Sequence, residues 1–110
     1  MSTKNIKILV VIPARGGSKG IPRKNLRLLG GVPLLYYSIT TALNSKFDVD
    51  IYVTSDDSEI LHTAKKIGAK THKRPENISE DETTLDPVIY DCYLEAKKVE
   101  NIDYPIIITL

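Results

Sequence analysis

The sequence predicts an α/β fold in which a parallel sheet carries helices on both faces. Three observations lead there. Apolar, β-branched runs alternate with segments of helical periodicity in the order β-α-β-α-β-α-β, and such alternation builds parallel sheets. The first run, Ile6 to Ile12, is nearly continuous in apolar residues, as a central strand buried on both faces should be. The chain has 110 residues, 42% hydrophobic and 26% charged, which suits one small domain with a core of its own.

Each element can be justified in order. After the first strand a Gly-rich segment runs to Asn25, and Leu26, Leu28 and Leu29 form a short extended piece before the Gly30-Gly31 turn. Pro33 suits the first turn of a helix. Leu35, Ile39, Ala42 and Leu43 then recur at helical spacing, which predicts a helix from Pro33 to Ser45. Asp50 to Thr54 reads as the second strand, and Ser55 to Ser58 as a turn. Asp56 and Glu59 have capping-box spacing, Ile60, Leu61, Ala64 and Ile67 give an apolar stripe, and Gly68 is a suitable stop. Ala69 to Lys73 is a short strand near a sheet edge, and Arg74 to Leu85 a polar loop. Asp86 and Pro87 read as an N-cap and first helical position. Val88, Cys92, Ala96 and Val99 form an apolar stripe over a helix from Asp86 to Glu100, and Pro105 to Leu110 begins another buried strand. No internal repeat, low-complexity segment or interdomain linker interrupts the pattern.

Composition narrows the function classes. The net charge of +1 gives no general case for nucleic acid. No apolar run approaches the ~18 residues of a membrane span, and the run Ile8 to Ile12 is too short for the core of a signal peptide. The single cysteine, Cys92, fits a reducing compartment. A cytoplasmic location is therefore expected. The charge is unevenly spread: residues 1–47 hold eight Lys and Arg side chains and no acid, and all 14 acids follow. Five of those cations fall between Arg15 and Arg27. A small polyanion bound there would explain this, and so would a basic surface loop.

The segment Ile12-Pro13-Ala14-Arg15-Gly16-Gly17-Ser18-Lys19-Gly20-Ile21-Pro22-Arg23-Lys24-Asn25 lies where ligands of open α/β sheets sit, beyond the carboxyl end of a strand. Gly16, Gly17 and Gly20 allow a sharp turn that brings backbone N–H groups close to a ligand. Arg15, Lys19 and Lys24 can neutralise phosphate oxygens, Arg as a planar fork and Lys as a movable point charge. Asn25 can hydrogen-bond a ribose hydroxyl or a phosphate. Pro13 and Pro22 stiffen the two ends. The glycine spacing fits neither the P-loop, G-x-x-x-x-G-K followed by Ser or Thr, nor the dinucleotide pattern G-x-G-x-x-G.

The same segment, with Leu26, closely resembles the opening motif of the N-acylneuraminate cytidylyltransferases, also called CMP-sialic acid synthetases, a family that includes pseudaminic and legionaminic acid cytidylyltransferases. The resemblance continues through Gly31 to Leu35, Val53 to Ile60, Arg74-Pro75-Glu76 and a loop with Asp81 and Thr83. It implies a Rossmann-like, three-layer αβα nucleotidyltransferase fold with strands ordered 3-2-1-4. It also implies transfer of a cytidylyl group from CTP to the anomeric hydroxyl of a nine-carbon 2-keto sugar acid, with loss of pyrophosphate and with Mg2+ as cofactor. On this resemblance Arg15, Lys19 and Lys24 hold the triphosphate, with Arg15 and Lys24 the catalytic pair. Gly16, Gly17, Ser18 and Asn25 line the nucleotide. Arg74 helps frame the cytidine beside Thr83 and Thr84. The expected partners are CTP and a nonulosonic acid, with no nucleic acid or membrane, and the full-length enzyme is expected to be a homodimer.

Two departures stand out. The family often has a serine near the position of Leu85, which touches base recognition. In the family the last strand also runs on into Leu-Gln-Pro-Thr-Ser-Pro-Leu-Arg, and Leu110 is the first letter of that run. Residues 1–110 are thus expected to be the N-terminal, nucleotide-binding part of the domain, truncated after the fourth strand, without the paired aspartates that bind magnesium. Such a chain is expected to bind nucleotide without completing transfer, and to be marginally stable or self-associating at an apolar edge. The alternatives are a ketodeoxyoctonate-type or other sugar nucleotidyltransferase and a non-catalytic nucleotide-binding fragment. Ketodeoxyoctonate enzymes open closer to Ile-Pro-Ala-Arg-Tyr-x-Ser-x-Arg, which Gly16 to Gly20 does not match.

The remaining polar residues have ordinary readings. Asp56 and Asp57 read as helix caps, and the acidic run Glu76 to Asp86 as a solvated loop. His62 and His72 lack paired metal-ligand spacing and read as surface or partly buried residues. Cys92 reads as a small core residue, and Tyr36 and Tyr37 as packing residues. Arg23 and Arg27 only raise the local potential.

Overall fold

The structure is a computed structural model that describes residues 6–14, 27–74 and 85–110. The main sheet has four strands: β1 (Lys7–Pro13), β4 (Asp48–Ser55), β5 (Lys70–Lys73) and β6 (Ile106–Thr109). Their spatial order is β5-β4-β1-β6 and every pairing is parallel. This is the 3-2-1-4 order expected from the resemblance. Parallel strands put all their carboxyl ends on one side, so the segments after β1, β4 and β5 leave the sheet together.

Side-chain alternation divides the core into two layers. Ile8, Val10, Ile12, Ile51 and Val53 face helices α1 (Leu34–Leu43) and α2 (Ser58–Ile67), where Leu35, Ile39, Ala42, Ile60 and Ala64 are buried. Leu9, Val11 and Tyr52 face helix α3 (Leu85–Glu100), where Cys92 and Ala96 are buried. β1 contributes to both layers, which is why its sequence is apolar without interruption.

The local signals mostly act as read, with corrections. Gly30 and Gly31 have φ of +62° and +86° and link β2 (Leu28–Leu29) to β3 (Val32–Pro33) in an antiparallel hairpin. Two consecutive positive φ values are what a tight two-residue hairpin loop demands. The extended piece before the glycines is therefore half of a hairpin, and Pro33 caps α1 from the second strand instead of opening its first turn. The cap of α2 is Asp57, whose Oδ1 accepts from the Glu59 N–H at 2.8 Å, and not Asp56. β4 runs on through Ser55, so the helix starts one residue later than the Asp56–Glu59 spacing suggests. α3 begins at Leu85, which puts Asp86 inside the helix and Pro87 third, still within the turn that leaves N–H groups unbonded.

Three apolar assignments also change. Val99 is 58% exposed and Leu43 48%, because each stripe drifts off the core near its helix end. β6 is not buried: Ile106, Ile107 and Ile108 are 40–42% exposed, since β6 is an edge strand that, among the described residues, pairs with β1 alone. The other edge, β5, carries Lys70 and Lys73, the usual protection of an edge strand. Among the described residues no helix is long and apolar enough to cross a membrane.

Candidate nucleotide site

The carboxyl ends of β1, β4 and β5 meet at Thr54. Its carbonyl oxygen accepts from the Ala14 N–H at 2.9 Å and from Arg74 Nη2 at 3.2 Å. The neighbouring Ser55 carbonyl accepts from the Arg74 N–H at 3.0 Å. Ala14 is the last residue before Arg15, and Arg74 the first after β5, so two chain exits are bonded to the same turn of β4. Thr54 and Ser55 are fully buried and Arg74 is 4% exposed. A buried guanidinium needs acceptors in place, and the strand end supplies one, the Thr54 carbonyl.

The side chains around this point are also tied. Thr54 Oγ1 lies 2.7 Å from His72 Nδ1, and His72 Nε2 lies 2.7 Å from Asp91 Oδ2 on α3. The Asp57 N–H donates to Ser55 Oγ at 3.0 Å, and Lys73 Nζ donates to the Asp56 carbonyl at 3.1 Å. Of the residues expected at the site, Arg74 is therefore placed at the carboxyl end of the sheet, against β4. Arg15, Gly16, Gly17, Ser18, Lys19, Gly20, Arg23, Lys24, Asn25, Thr83 and Thr84 lie outside the described residues, as does most of the acidic run from Glu76.

The other candidates settle into packing. Cys92 is buried in the α3 layer and burial pushes its thiol up to about 12, so it is not a thiolate nucleophile near neutral pH. His62 is exposed on α2, and Tyr36 and Tyr37 meet edge to face at 5.7 Å, partly exposed. Among the described residues no three His, Cys, Asp or Glu side chains come together as ligands of a metal ion.

Sequence reasoning missed Thr54, His72 and Asp91 as a connected group. A signal was present in the register: Thr54 pairs with His72 across β4 and β5, and Thr54 shares the face of Tyr52. A threonine and a histidine on one buried face require partners.

The family follows from a profile match: residues 9–107 match the model of the cytidylyltransferase family. The chain belongs to that family. Among its relatives, the pseudaminic acid cytidylyltransferase of Campylobacter jejuni subsp. jejuni serotype O:2 is 47% identical over 85 residues, 76% of this chain and 37% of that protein. The N-acylneuraminate cytidylyltransferase A of Danio rerio is 38% identical over 97 residues, 88% of this chain and 23% of that protein. The chain thus spans well under half the length of these cytidylyltransferases. The fold matches that of a CMP:2-keto-3-deoxy-manno-octonic acid synthetase solved in complex with CTP, with a TM-score of 0.72 at 24% identity over 94% of this chain and 39% of that one.

Proposed function

We propose that this chain is the CTP-binding part of a cytidylyltransferase that activates a sialic-acid-type nonulosonic acid, giving the CMP-sugar and pyrophosphate. The observation that carries the reading is the end of β1: Ala14, the residue before Arg15, bonds the Thr54 carbonyl at the carboxyl edge of the sheet, and the same carbonyl receives Arg74. The cationic, Gly-rich run that follows Ala14 in the sequence fits a phosphate cradle after such a strand end.

In this reading Arg15, Lys19 and Lys24 hold the triphosphate, with backbone donors from Gly16, Gly17 and Ser18. The anomeric hydroxyl of the acceptor attacks the α-phosphorus, the bond to the bridging oxygen breaks, and pyrophosphate leaves. Arg15 and Lys24 stabilise the charge that builds on the phosphoryl oxygens. Asn25 contacts the ribose or a phosphate, and Arg74, Thr83 and Thr84 border the base. The high identity to a pseudaminic acid cytidylyltransferase makes pseudaminic acid the first acceptor to test.

Titration calorimetry with CTP tests the binding half. CTP binds the wild-type chain, and Lys24→Ala weakens it by at least tenfold, the order expected for a lost charge-assisted contact of about 1.4 kcal/mol or more. Absence of any binding to the wild-type chain overturns the reading. Pyrophosphate release with CTP and pseudaminic acid tests transfer.

A further inference from the structure

The geometry assigns His72 a role that the nucleotide contacts do not use: we propose that it is a positioning residue, which through Thr54 holds both Ala14 and Arg74 in place. The arrangement is a chain of single contacts. Asp91 on α3 lies 2.7 Å from His72 Nε2, and His72 Nδ1 lies 2.7 Å from Thr54 Oγ1. The Thr54 carbonyl then accepts from the Ala14 N–H and Arg74 Nη2. A carboxylate can only accept, so in the neutral ring Nε2 carries the proton and Nδ1 accepts from the Thr54 hydroxyl. Asp91 thereby sets the tautomer that lets His72 orient Thr54.

His72 is 5% exposed and Thr54 is fully buried, so water cannot readily replace the bond between them. Thr54 is also the only described residue whose carbonyl bonds both chain exits. A shift of its peptide moves Ala14 and the Arg74 guanidinium together. Preorganisation of this kind requires a support whose own rotamers are locked by hydrogen bonds, and His72 between Thr54 and Asp91 is locked at both ring nitrogens. The geometric claim stands on the free protein; its consequence for CTP rests on the proposed function.

Three variants separate the links. Thr54→Val keeps the shape and removes the hydroxyl. His72→Asn keeps a polar atom near the Nδ1 position, and His72→Gln keeps one near Nε2 but loses the contact to Thr54. Hydrogen exchange of the Ala14 and Arg74 amides is measured in the free protein, with the amides of residues 9–12 as the reference for global opening. Exchange at Ala14 and Arg74 rises about tenfold over that reference in Thr54→Val and His72→Gln, the scale of one lost buried hydrogen bond, and rises less in His72→Asn. Calorimetric CTP affinity falls in the same order, again by about tenfold for the first two. A merely structural role would lower the melting temperature of all three while leaving relative exchange at Ala14 and Arg74 unchanged; that result overturns the proposal. Equal CTP affinity in folded wild type, Thr54→Val and His72→Gln overturns the link to nucleotide binding. Failure of wild type to bind CTP counts against the nucleotide reading, and the exchange data then decide the positioning role by themselves.

Discussion

The two ends of the sheet carry similar polar residues and use them differently. At the amino end, charges answer one another. Lys7 Nζ lies 2.8 Å from Asp48 and 3.5 Å from Asp50. The Tyr104 hydroxyl donates to Asp50 at 2.5 Å, the Tyr52 hydroxyl donates to Glu100 at 2.9 Å, and Lys70 also bonds Glu100. At the carboxyl end, Arg74 and the backbone of Thr54 and Ser55 bond across strand ends, and so hold the places where the chain leaves the sheet. The amino end closes on itself and serves stability. The carboxyl end fixes loop roots, where ligands of such sheets bind. Substitutions at the first should therefore cost folding energy with CTP affinity intact.

Asp50→Ala is the largest test of that division. Asp50 is the acceptor for the Tyr104 hydroxyl and a partner of Lys7, and its side chain is only 12% exposed. Its removal leaves the buried Tyr104 hydroxyl without this acceptor, at a cost of about 2–3 kcal/mol. Urea unfolding should show this loss, while the folded variant binds CTP as wild type does. If CTP affinity falls along with stability, the two ends are not separable and the division fails.

The pH dependence of stability should also be set at the amino end, with one limb from each kind of group. The hydrogen bond from Lys70, helped by Tyr52, holds the Glu100 carboxyl below its usual range. Its contribution is present above the ordinary value of 4.5 and is lost as pH falls through the lowered one. Burial and the hydrogen bond to Asp50 raise the Tyr104 hydroxyl above its ordinary value of 10.0, and burial and Glu100 do the same for Tyr52. The unfolded chain ionises first on that side, so stability is full below pH 10 and declines as pH rises beyond it. Melting temperature followed from pH 3 to 11 should show both limbs, one on the acid side and one on the alkaline side. Glu100→Gln should flatten the acid limb and Tyr104→Phe the alkaline one.

How much of this was legible in the sequence depends on the range of the interaction. The strand order rested on resemblance. The two-sided burial of β1 was readable because an unbroken apolar run has one economical explanation. The hairpin was half readable: Gly30-Gly31 marked the turn, but two residues, Val32 and Pro33, are too few to announce a strand. The cap of α2 missed by one residue and the start of α3 by two, because neighbouring polar residues offer nearly equivalent caps until the strand end or helix start is fixed by packing. The burial of β6 was misread because its composition states what the residues prefer, not whether a neighbour covers them. The Asp91–His72–Thr54 chain joins two strands and a helix; Thr54 and His72 become partners only once the β4–β5 register is set, and Asp91 joins them only once α3 packs there. Arg74 was legible only through the family motif; nothing in its local sequence shows that a strand end receives its guanidinium.

The smallest expected effect comes from Lys70, and it tests whether the amino-end cluster acts as a unit or as separate pairs. The Lys70 side chain is 51% exposed, whereas its partner Glu100 is 16% exposed. An ion pair with one member so open to water is screened by salt and contributes about 0–1 kcal/mol. Lys70→Met keeps the aliphatic stem over β5 and leaves Glu100 with the Tyr52 hydroxyl as a donor. The melting temperature should therefore fall by only a few degrees, the scale of about 0.5 kcal/mol in a chain of this size, and the difference should shrink as salt rises. A larger, salt-independent loss would mean that Glu100 depends on Lys70 to remain a buried anion. In that case Lys70→Met and Tyr52→Phe should be strongly non-additive, which a double-mutant cycle on unfolding free energy would detect.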